Sequence, residues 1–246
     1  MSTKFPFSGE LVKAANKKYE EVIFFVHFFE GNKRLIKRHV KTVNLLGFDA
    51  FIFTLPLTWN PVRPPIAKNF RFGWKHVYAD VISELLDLVP GKKIIFSFSN
   101  PSASAIEAMA ARKCKDVAAL ICDSGPSARF LYSAFSLSKQ YLKEGEYFKA
   151  GTMQFGPLFW TPFFHRDIKK HLNVLPDGFP ILSIRGWKDP LIPPSHIDAV
   201  FEGHSQIHWR KLSLPLAGHL NGLRDFRKEY MAGLTPFLGE IATPIS

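Results

Sequence analysis

Short apolar runs alternate with amphipathic segments along most of the chain. The runs are rich in aromatic and β-branched side chains, which predicts buried strands, at 21–28, 48–55, 93–98 and 117–122. The segments between them repeat apolar residues every three or four positions, which predicts helices, at 33–46, 74–88 and 101–112. Residues 57–71 carry several prolines and predict a loop. Residues 1–20 fit either a short strand or a short helix.

The alternation stops after the fourth predicted strand and resumes near residue 180. Residues 125–178 are rich in aromatics and show no strand pattern. A strand at 180–184, a helix near 195–202, a strand at 207–214 and a helix near 222–238 follow. The repeated order predicts an α/β fold with a mostly parallel central sheet and helices on both faces. We expect residues 1–124 and 179–246 to form this core and residues 125–178 to be a helical insertion above the carboxyl edge of the sheet.

Composition narrows the class of protein. The chain has 246 residues, of which 46% are hydrophobic and 22% charged, a balance typical of a globular domain. Its two cysteines, Cys114 and Cys122, argue against a disulfide scaffold and a multi-cysteine zinc site. The sequence has neither a transmembrane run nor the apolar stretch of a signal peptide, so we expect a cytoplasmic protein.

The net charge of +11 could attract nucleic acid, an acidic membrane surface or an anionic substrate. Its densest part lies within 33–46, where basic residues interleave with Leu35, Ile36, Val40, Val43, Leu45 and Leu46. That pattern is typical of a surface helix with one apolar and one solvated face. No nucleic-acid-binding signature accompanies it, so we expect no specific nucleic-acid partner.

Three reactive side chains follow three different predicted strands. Ser99 comes after the third strand and leads into a helix, Asp189 follows the strand at 180–184, and His219 follows the strand at 207–214. Ligands of an open parallel sheet bind at the carboxyl ends of its strands. A hydroxyl, a carboxylate and an imidazole at that edge indicate nucleophilic catalysis.

The spaced motifs resemble those of the alpha/beta-hydrolase superfamily, over about residues 20–240. Ser97-Phe98-Ser99-Asn100-Pro101 stands where the family has its G-x-S-x-G nucleophile elbow. GWKDPLIP (186–193) resembles the acid loop, LAGHL (216–220) the histidine loop, and VHFFEGNKR (26–34) the segment that supplies part of the oxyanion hole. The chain departs from the family at Ser97, Pro101 and Phe28, where the family has glycine.

The resemblance implies a role for each residue. Ser99 would be the nucleophile, His219 the base, and Asp189 the carboxylate that orients the imidazole. The backbone amides of Phe29 and Asn100 would form the oxyanion hole. No metal and no cofactor are implied, because this chemistry needs neither.

Other residues of the sequence compete for the roles of nucleophile and acid. Ser102 and Ser104 lie near Ser99 but within the predicted helix, and Asp123 follows a strand and competes with Asp189 as the acid. His27 is interpreted as a structural residue that supports its loop. Cys114 and Cys122 are interpreted as structural, since neither leads from a strand into a helix.

The insertion is expected to act as a cap that sets substrate choice. Its aromatic side chains would form core or leave an apolar cleft beneath them, and they are Phe130, Tyr132, Phe135, Tyr141, Tyr147, Phe148, Phe155, Phe159, Trp160, Phe163 and Phe164. The sequence therefore predicts a serine hydrolase that cleaves a carboxylic ester or related acyl bond of a small molecule with an apolar acyl or aryl part. Two alternatives are an acyltransferase with the same triad and a catalytically weak or inactive binding protein, the latter motivated by Pro101 and Phe28. The oligomeric state is not indicated.

Overall fold

The computed structural model describes residues 5–56, 65–161 and 165–245. Within them, seven strands form one sheet in the order β1-β3-β2-β4-β5-β6-β7. The strands are β1 (Glu10–Val12), β2 (Val22–Val26), β3 (Asp49–Ile52), β4 (Lys93–Phe98), β5 (Val117–Asp123), β6 (Phe179–Gly186) and β7 (Ile207–Leu214). All pairs are parallel except β1 with β3. The predicted mostly parallel sheet is therefore confirmed.

Helices connect the strands and cover the sheet. They are α1 (Lys37–Leu46), α2 (Trp74–Leu88), α3 (Ser102–Ala111), α4 (Phe130–Lys143), α5 (Tyr147–Trp160), α6 (Ile168–Leu172), α7 (Pro194–Phe201), α8 (Gly222–Asp225) and α9 (Arg227–Ile241). A 3-10 turn covers Lys68–Phe70. Among the helices described, none is long and apolar enough to cross a bilayer.

The element boundaries depart from the sequence prediction at a few places. The helix predicted at 33–46 begins only at Lys37, because residues 33–36 form turns in which the Asn32 side chain accepts the N–H of Arg34. The helix expected at 222–238 is two helices, broken at Phe226, which is not helical. The ambiguous N-terminal stretch supplies β1. Of the loop predicted at 57–71, residues 57–64 lie outside the described residues.

Alternate side chains of the strands pack into two separate cores, one on each face of the sheet. On β2, Phe24 packs into one apolar cluster with residues of α2, α3 and α7, whereas Phe25 packs into the other with residues of α1 and α9. This is the period-two alternation of a strand buried on both faces. It explains why β2 reads as an unbroken apolar run, and it confirms helices on both faces of the sheet.

The apolar face predicted for 33–46 is narrower than the sequence suggests. Val40 and Val43 are buried beneath α1, but Leu35 is 58% and Leu45 is 67% exposed. Leu35 precedes the helix, so the helical period does not apply to it.

The insertion forms helices α4, α5 and α6 between β5 and β6. Phe130 and Trp160 are buried and stack with ring centroids 5.7 Å apart. Other aromatics are not core: Phe148 is 85% and Phe155 is 66% exposed. Phe163 and Phe164 lie outside the described residues.

A buried ammonium ties the insertion to the core. The side chain of Lys75 on α2 is fully buried and pairs with Glu107 of α3 at 2.9 Å. It also pairs with Asp167, which immediately precedes α6. Removing one member of a buried ion-pair cluster is strongly destabilising, so this contact fixes where the insertion meets the core.

Candidate active site

The carboxyl ends of β2, β4, β5, β6 and β7 converge at one edge of the sheet. Phe98 pairs in register with Asp123, Asp123 with Ile184, and Gly186 with Leu214. The residues after these strands therefore leave the sheet side by side. In this way the fold brings Ser99, Asp189 and His219 to the same edge.

Ser99 sits on a sharp turn between β4 and α3. Its φ is 55°, in the left-handed region that residues with a Cβ rarely adopt. Its N–H donates to the carbonyl of Asp123 at 2.8 Å, and its carbonyl accepts the N–H of Ser102 at 3.1 Å. These contacts hold the strained conformation, which costs on the order of 1–3 kcal/mol. Such a strained strand-to-helix turn presents a nucleophile above a sheet.

The residue that makes room for this turn is Gly125, which sequence reasoning missed. A Cβ on Gly125 would lie 2.3 Å from the carbonyl oxygen of Ser99, too close for any side chain. The close approach therefore falls on the loop after β5, not on Ser97 or Pro101, where the family has glycine. Pro101 fits because its φ is −56° and its carbonyl accepts the N–H groups of the first turn of α3. The only signal for Gly125 in the sequence was its position shortly after the end of a predicted apolar strand.

Asp189 and His219 form a hydrogen-bonded pair. The Nδ1 of His219 lies 2.7 Å from Oδ2 of Asp189, whose side chain is buried. The other carboxylate oxygen accepts the backbone N–H groups of Leu191 and Ile192 at 2.8 and 2.9 Å. Since an ionised carboxylate only accepts, Nδ1 of His219 carries the proton and Nε2 is left as the basic nitrogen.

The rival acid, Asp123, is engaged elsewhere. Its Oδ2 accepts the hydroxyl of Tyr230 at 2.6 Å, and its Oδ1 accepts that of Ser124 at 3.0 Å. Burial, together with the neighbouring Asp123 charge, raises the pKa of Tyr230 well above its usual value, so the phenol stays a donor. Asp189, not Asp123, therefore contacts His219.

Ser124 connects the buried Asp123–Tyr230 pair to the loop that carries His219. Sequence reasoning did not identify Ser124. Its hydroxyl donates to Asp123 and accepts the N–H of Leu220 at 3.1 Å. Leu220 directly follows His219 and has a φ of 57°. The end of β5 thus fixes the backbone beside the imidazole.

His27 organises the loop after β2, in agreement with its structural interpretation. Its Nε2 accepts the N–H of Leu55 at 2.9 Å, so Nδ1 carries the proton and donates to the carbonyl of Phe28 at 2.8 Å. Burial lowers the pKa of His27 to about 4, which keeps the ring neutral. The Phe28 carbonyl also accepts the N–H of Gly31. Because a trans peptide points its N–H opposite to its C=O, the Phe29 N–H is directed away from these contacts.

Asn100 is held by the loop that follows β5. Its side-chain Oδ1 accepts the N–H of Ser127 at 3.2 Å. Among the described residues, the backbone N–H groups of Asn100 and Phe29 have no acceptor in the protein. Both Phe29 and Asn100 line one cavity.

A cavity of about 330 Å³ joins these groups. Ser99, Asn100, Phe29 and His219 line it. The remaining wall is mostly apolar and comes from the insertion and the core, and it includes Phe28, Trp74, Phe130, Leu137, Met153, Pro157, Phe159, Trp160, Leu191, Ile192 and Leu220. Ser102 and Ser104, the rival nucleophiles, are buried within α3 and do not line it.

The position of one wall residue, Trp160, is set by a buried histidine. The indole N–H of Trp160 donates to Nε2 of His165 at 2.7 Å, and Nδ1 of His165 contacts the carbonyl of Ser127 at 2.8 Å. Burial lowers the pKa of His165 to about 3, so the ring is neutral and can accept from the indole.

One group of described side chains combines residue types that can bind a metal ion. Atoms of His76, Glu107 and Asp167 lie within 4.8 Å of one another. Lys75 pairs with both carboxylates, and Arg71 and His76 both contact Glu107. Protein cations thus already compensate the carboxylates, and the His76 hydrogen bond and the Lys75 charge hold the pKa of Glu107 at about 2 despite its burial.

The two cysteines are buried away from this chemistry. Burial raises the pKa of Cys114 to about 11 and that of Cys122 to about 12. A thiol with a raised pKa is a poor nucleophile at neutral pH.

No protein-family model and no curated protein matches this sequence. Solved structures do match. An esterase of Pyrococcus furiosus superposes with a TM-score of 0.68 at 13% identity, over 95% of this chain and 85% of that one. A thermostable carboxyl esterase of Bacillus coagulans gives 0.64 at 17% identity, over 95% and 93% of the two chains. An alpha/beta hydrolase from a lagoon-sediment metagenome gives 0.66 at 14% identity, over 97% of both. At these identities the likeness is one of fold, and it confirms the fold expected from the motifs.

Proposed function

We propose that this chain, which has the alpha/beta-hydrolase fold, is a serine hydrolase that cleaves carboxylic esters with an apolar acyl or aryl part. The observation that carries the proposal is the Asp189–His219 hydrogen bond beside a cavity that also contains the strained Ser99. Each of these features, taken alone, also has a purely structural explanation. Together they match what acyl transfer requires: a nucleophile, an oriented base and unpaired amides.

In the proposed reaction, Nε2 of His219 takes the proton of Ser99 as the serine oxygen bonds to the ester carbon. The carbonyl oxygen becomes an oxyanion that accepts hydrogen bonds from the N–H groups of Phe29 and Asn100. The intermediate then expels the alcohol, which takes the proton from His219, and leaves an acyl group on Ser99. Water, deprotonated by His219, hydrolyses this acyl-enzyme.

Proton transfer requires the Ser99 hydroxyl to come within hydrogen-bond distance of the His219 ring. In the part of the chain that the structure describes, this bond is not formed. Catalytic hydrogen bonds are often long in the free enzyme and tighten when substrate binds. Rotation about the Cα–Cβ bond of Ser99 moves its hydroxyl without disturbing the strained backbone.

Residues 125–178 are the proposed cap. Helices α4 and α5 supply Phe130, Leu137, Met153 and Trp160 to the cavity wall, while the strand ends supply the reactive groups. The cavity of about 330 Å³ lies at the lower end of the roughly 300–1,000 Å³ that small-molecule sites span. We therefore propose substrates whose apolar part is of short to medium length.

A fluorophosphonate probe with a fluorescent reporter tests the proposal. We expect covalent labelling of the wild-type protein and none of Ser99→Ala, whose Cβ leaves the backbone strain unchanged. Ser104→Ala is the matched control, because Ser104 is buried within α3 and does not line the cavity. Labelling that survives Ser99→Ala would overturn Ser99 as nucleophile, and an unlabelled wild type would favour a binding protein.

Ethyl esters of increasing acyl length then test the size of the cavity. We expect kcat/KM to peak at medium acyl chains and to fall for long-chain esters that overfill the cavity. A preference for the longest chains would contradict the proposed fit.

A further inference from the structure

The mostly apolar wall of the cavity includes three polar side chains of α4, and two of them, Gln140 and Tyr141, have hydrogen-bond partners in the protein. The third carries a hydroxyl that the proposed chemistry does not use. Ser133 lies on α4, lines the cavity and is only 4% exposed. Its neighbours in the wall include Phe130, Ala134 and Leu137 from the same helix. An alanine would serve equally well at this position if the wall only had to be apolar.

The Ser133 hydroxyl has no hydrogen-bond partner among the described residues. Serines within helices commonly bond the carbonyl four residues earlier, here that of Arg129, but only the backbone N–H of Ser133 makes that contact. A buried hydroxyl without a partner destabilises the fold. Ser133 lines the cavity, but its hydroxyl oxygen is itself buried, so rotation about the Cα–Cβ bond has to turn the hydroxyl toward the cavity before a ligand can bond it.

A second serine of the same helix shows the contrast. Ser138 is also buried, but its hydroxyl donates to the carbonyl of Ala150 at 2.8 Å and so joins α4 to α5. Ser138 thus has a structural role that accounts for its hydroxyl. Ser133 has no such role within the described part of the chain.

We propose that Ser133 forms a polar binding subsite that hydrogen-bonds an oxygen or nitrogen atom within the otherwise apolar part of the substrate. The inference rests on the proposed esterase function and narrows its substrate class to esters with a polar atom in the chain that enters the cavity. A site built to hydrogen-bond such an atom discriminates against an isosteric substrate that lacks it, because the hydroxyl is then left unpaired.

The test compares ethyl hexanoate with isosteric esters in which one methylene is an ether oxygen, namely its 3-oxa, 4-oxa and 5-oxa analogues, and with ethyl 6-hydroxyhexanoate. We expect Ser133→Ala to lower kcat/KM roughly tenfold for at least one oxygenated ester, the scale of one hydrogen bond. The ratio of kcat/KM for that oxygenated ester to kcat/KM for ethyl hexanoate should fall by a similar factor, because only the oxygenated ester bonds the hydroxyl.

Ser104→Ala is the matched control. Its hydroxyl is also buried without a partner among the described residues, but it lies in α3 outside the cavity wall. We expect it to leave the ratio between oxygenated and plain esters unchanged. An equal effect of Ser133→Ala on all five esters, or no effect on any, would overturn the subsite.

Binding to the Ser99→Ala protein separates this inference from the proposed chemistry. Isothermal titration with the same esters measures affinity without turnover, in the presence and absence of Ser133→Ala. Weaker binding of an oxygenated ester alone on loss of Ser133 supports the subsite even if the wild-type protein does not hydrolyse it. Hydrolysis of plain and oxygenated esters with equal Ser133 dependence would instead keep the esterase and remove the subsite.

Discussion

The α-carbon of Gly125 lies against the backbone of Ser99. A Cβ built on this glycine would be 2.3 Å from the serine carbonyl oxygen and 2.7 Å from its α-carbon. The neighbouring atoms are backbone and have no rotamer to change. The left-handed turn at Ser99 and the glycine after β5 are therefore one structural unit.

Gly125→Ala is expected to displace that turn. Overpacking against backbone costs about 1–3 kcal/mol or more, so we expect a lower free energy of unfolding by urea and at least a tenfold slower reaction with the fluorophosphonate probe. The matched control is Gly239→Ala in α9, where a Cβ would meet nothing within 4 Å. Alanine should stabilise that helix by about 0.5–1 kcal/mol and leave labelling unchanged. Normal labelling of a fully stable Gly125→Ala would show that the turn tolerates the methyl group.

Asp189→Asn is expected to abolish most of the activity while preserving the fold. The asparagine oxygen can still accept the N–H groups of Leu191 and Ile192, but its amide donates toward Nδ1 of His219 and so favours the wrong tautomer. A loss of roughly 10⁴ in kcat accompanies this change in a serine triad. The measurement is kcat for the best ethyl ester, together with the thermal unfolding midpoint.

Asp123→Asn provides the comparison for that experiment. Asp123 bonds Tyr230 and Ser124 and does not contact His219 among the interactions described. Its substitution should lower stability, because a buried charge-assisted hydrogen bond is weakened, and should change kcat less than tenfold. A greater loss of kcat in Asp123→Asn than in Asp189→Asn would reverse the assignment of the acid.

Protonation of His27 should destabilise the protein in mild acid. Its folded pKa is lowered to about 4 by burial, whereas an exposed histidine titrates near 6.5. Above about pH 6.5 both states hold a neutral ring, and between about pH 6.5 and 4 the unfolded chain binds the extra proton. The folded state therefore loses up to about 3 kcal/mol across that range.

Urea unfolding of the wild type and His27→Gln at a series of pH values measures this effect. The glutamine variant lacks the titrating ring, so the wild-type advantage should be constant above about pH 6.5 and should shrink as the pH falls toward 4. The other ionisable groups are common to both proteins and cancel in the difference. Parallel stability curves would show that His27 titrates normally in the folded state.

The order of elements and the chemistry at the strand ends were readable from the sequence. The helix at 74–88 and the strand at 93–98 follow from local periodicity, and Ser99, Asp189 and His219 follow from their positions after apolar runs. Such features depend on neighbours along the chain, and parallel strands necessarily end at one edge. The same local information placed His27 in a supporting role.

Only the tertiary structure decided which groups meet. It showed that Asp189, and not Asp123, contacts His219. It placed the close backbone contact at Gly125 rather than at Ser97 or Pro101. It left the hydroxyl of Ser133 without a partner, whereas that of Ser138 has one. It also showed that several aromatic side chains of the insertion, which the sequence assigned to a core or a cleft, are exposed to solvent. Hydrogen bonding and close packing are set by atoms that lie far apart in sequence, and a one-dimensional pattern carries no distances between them.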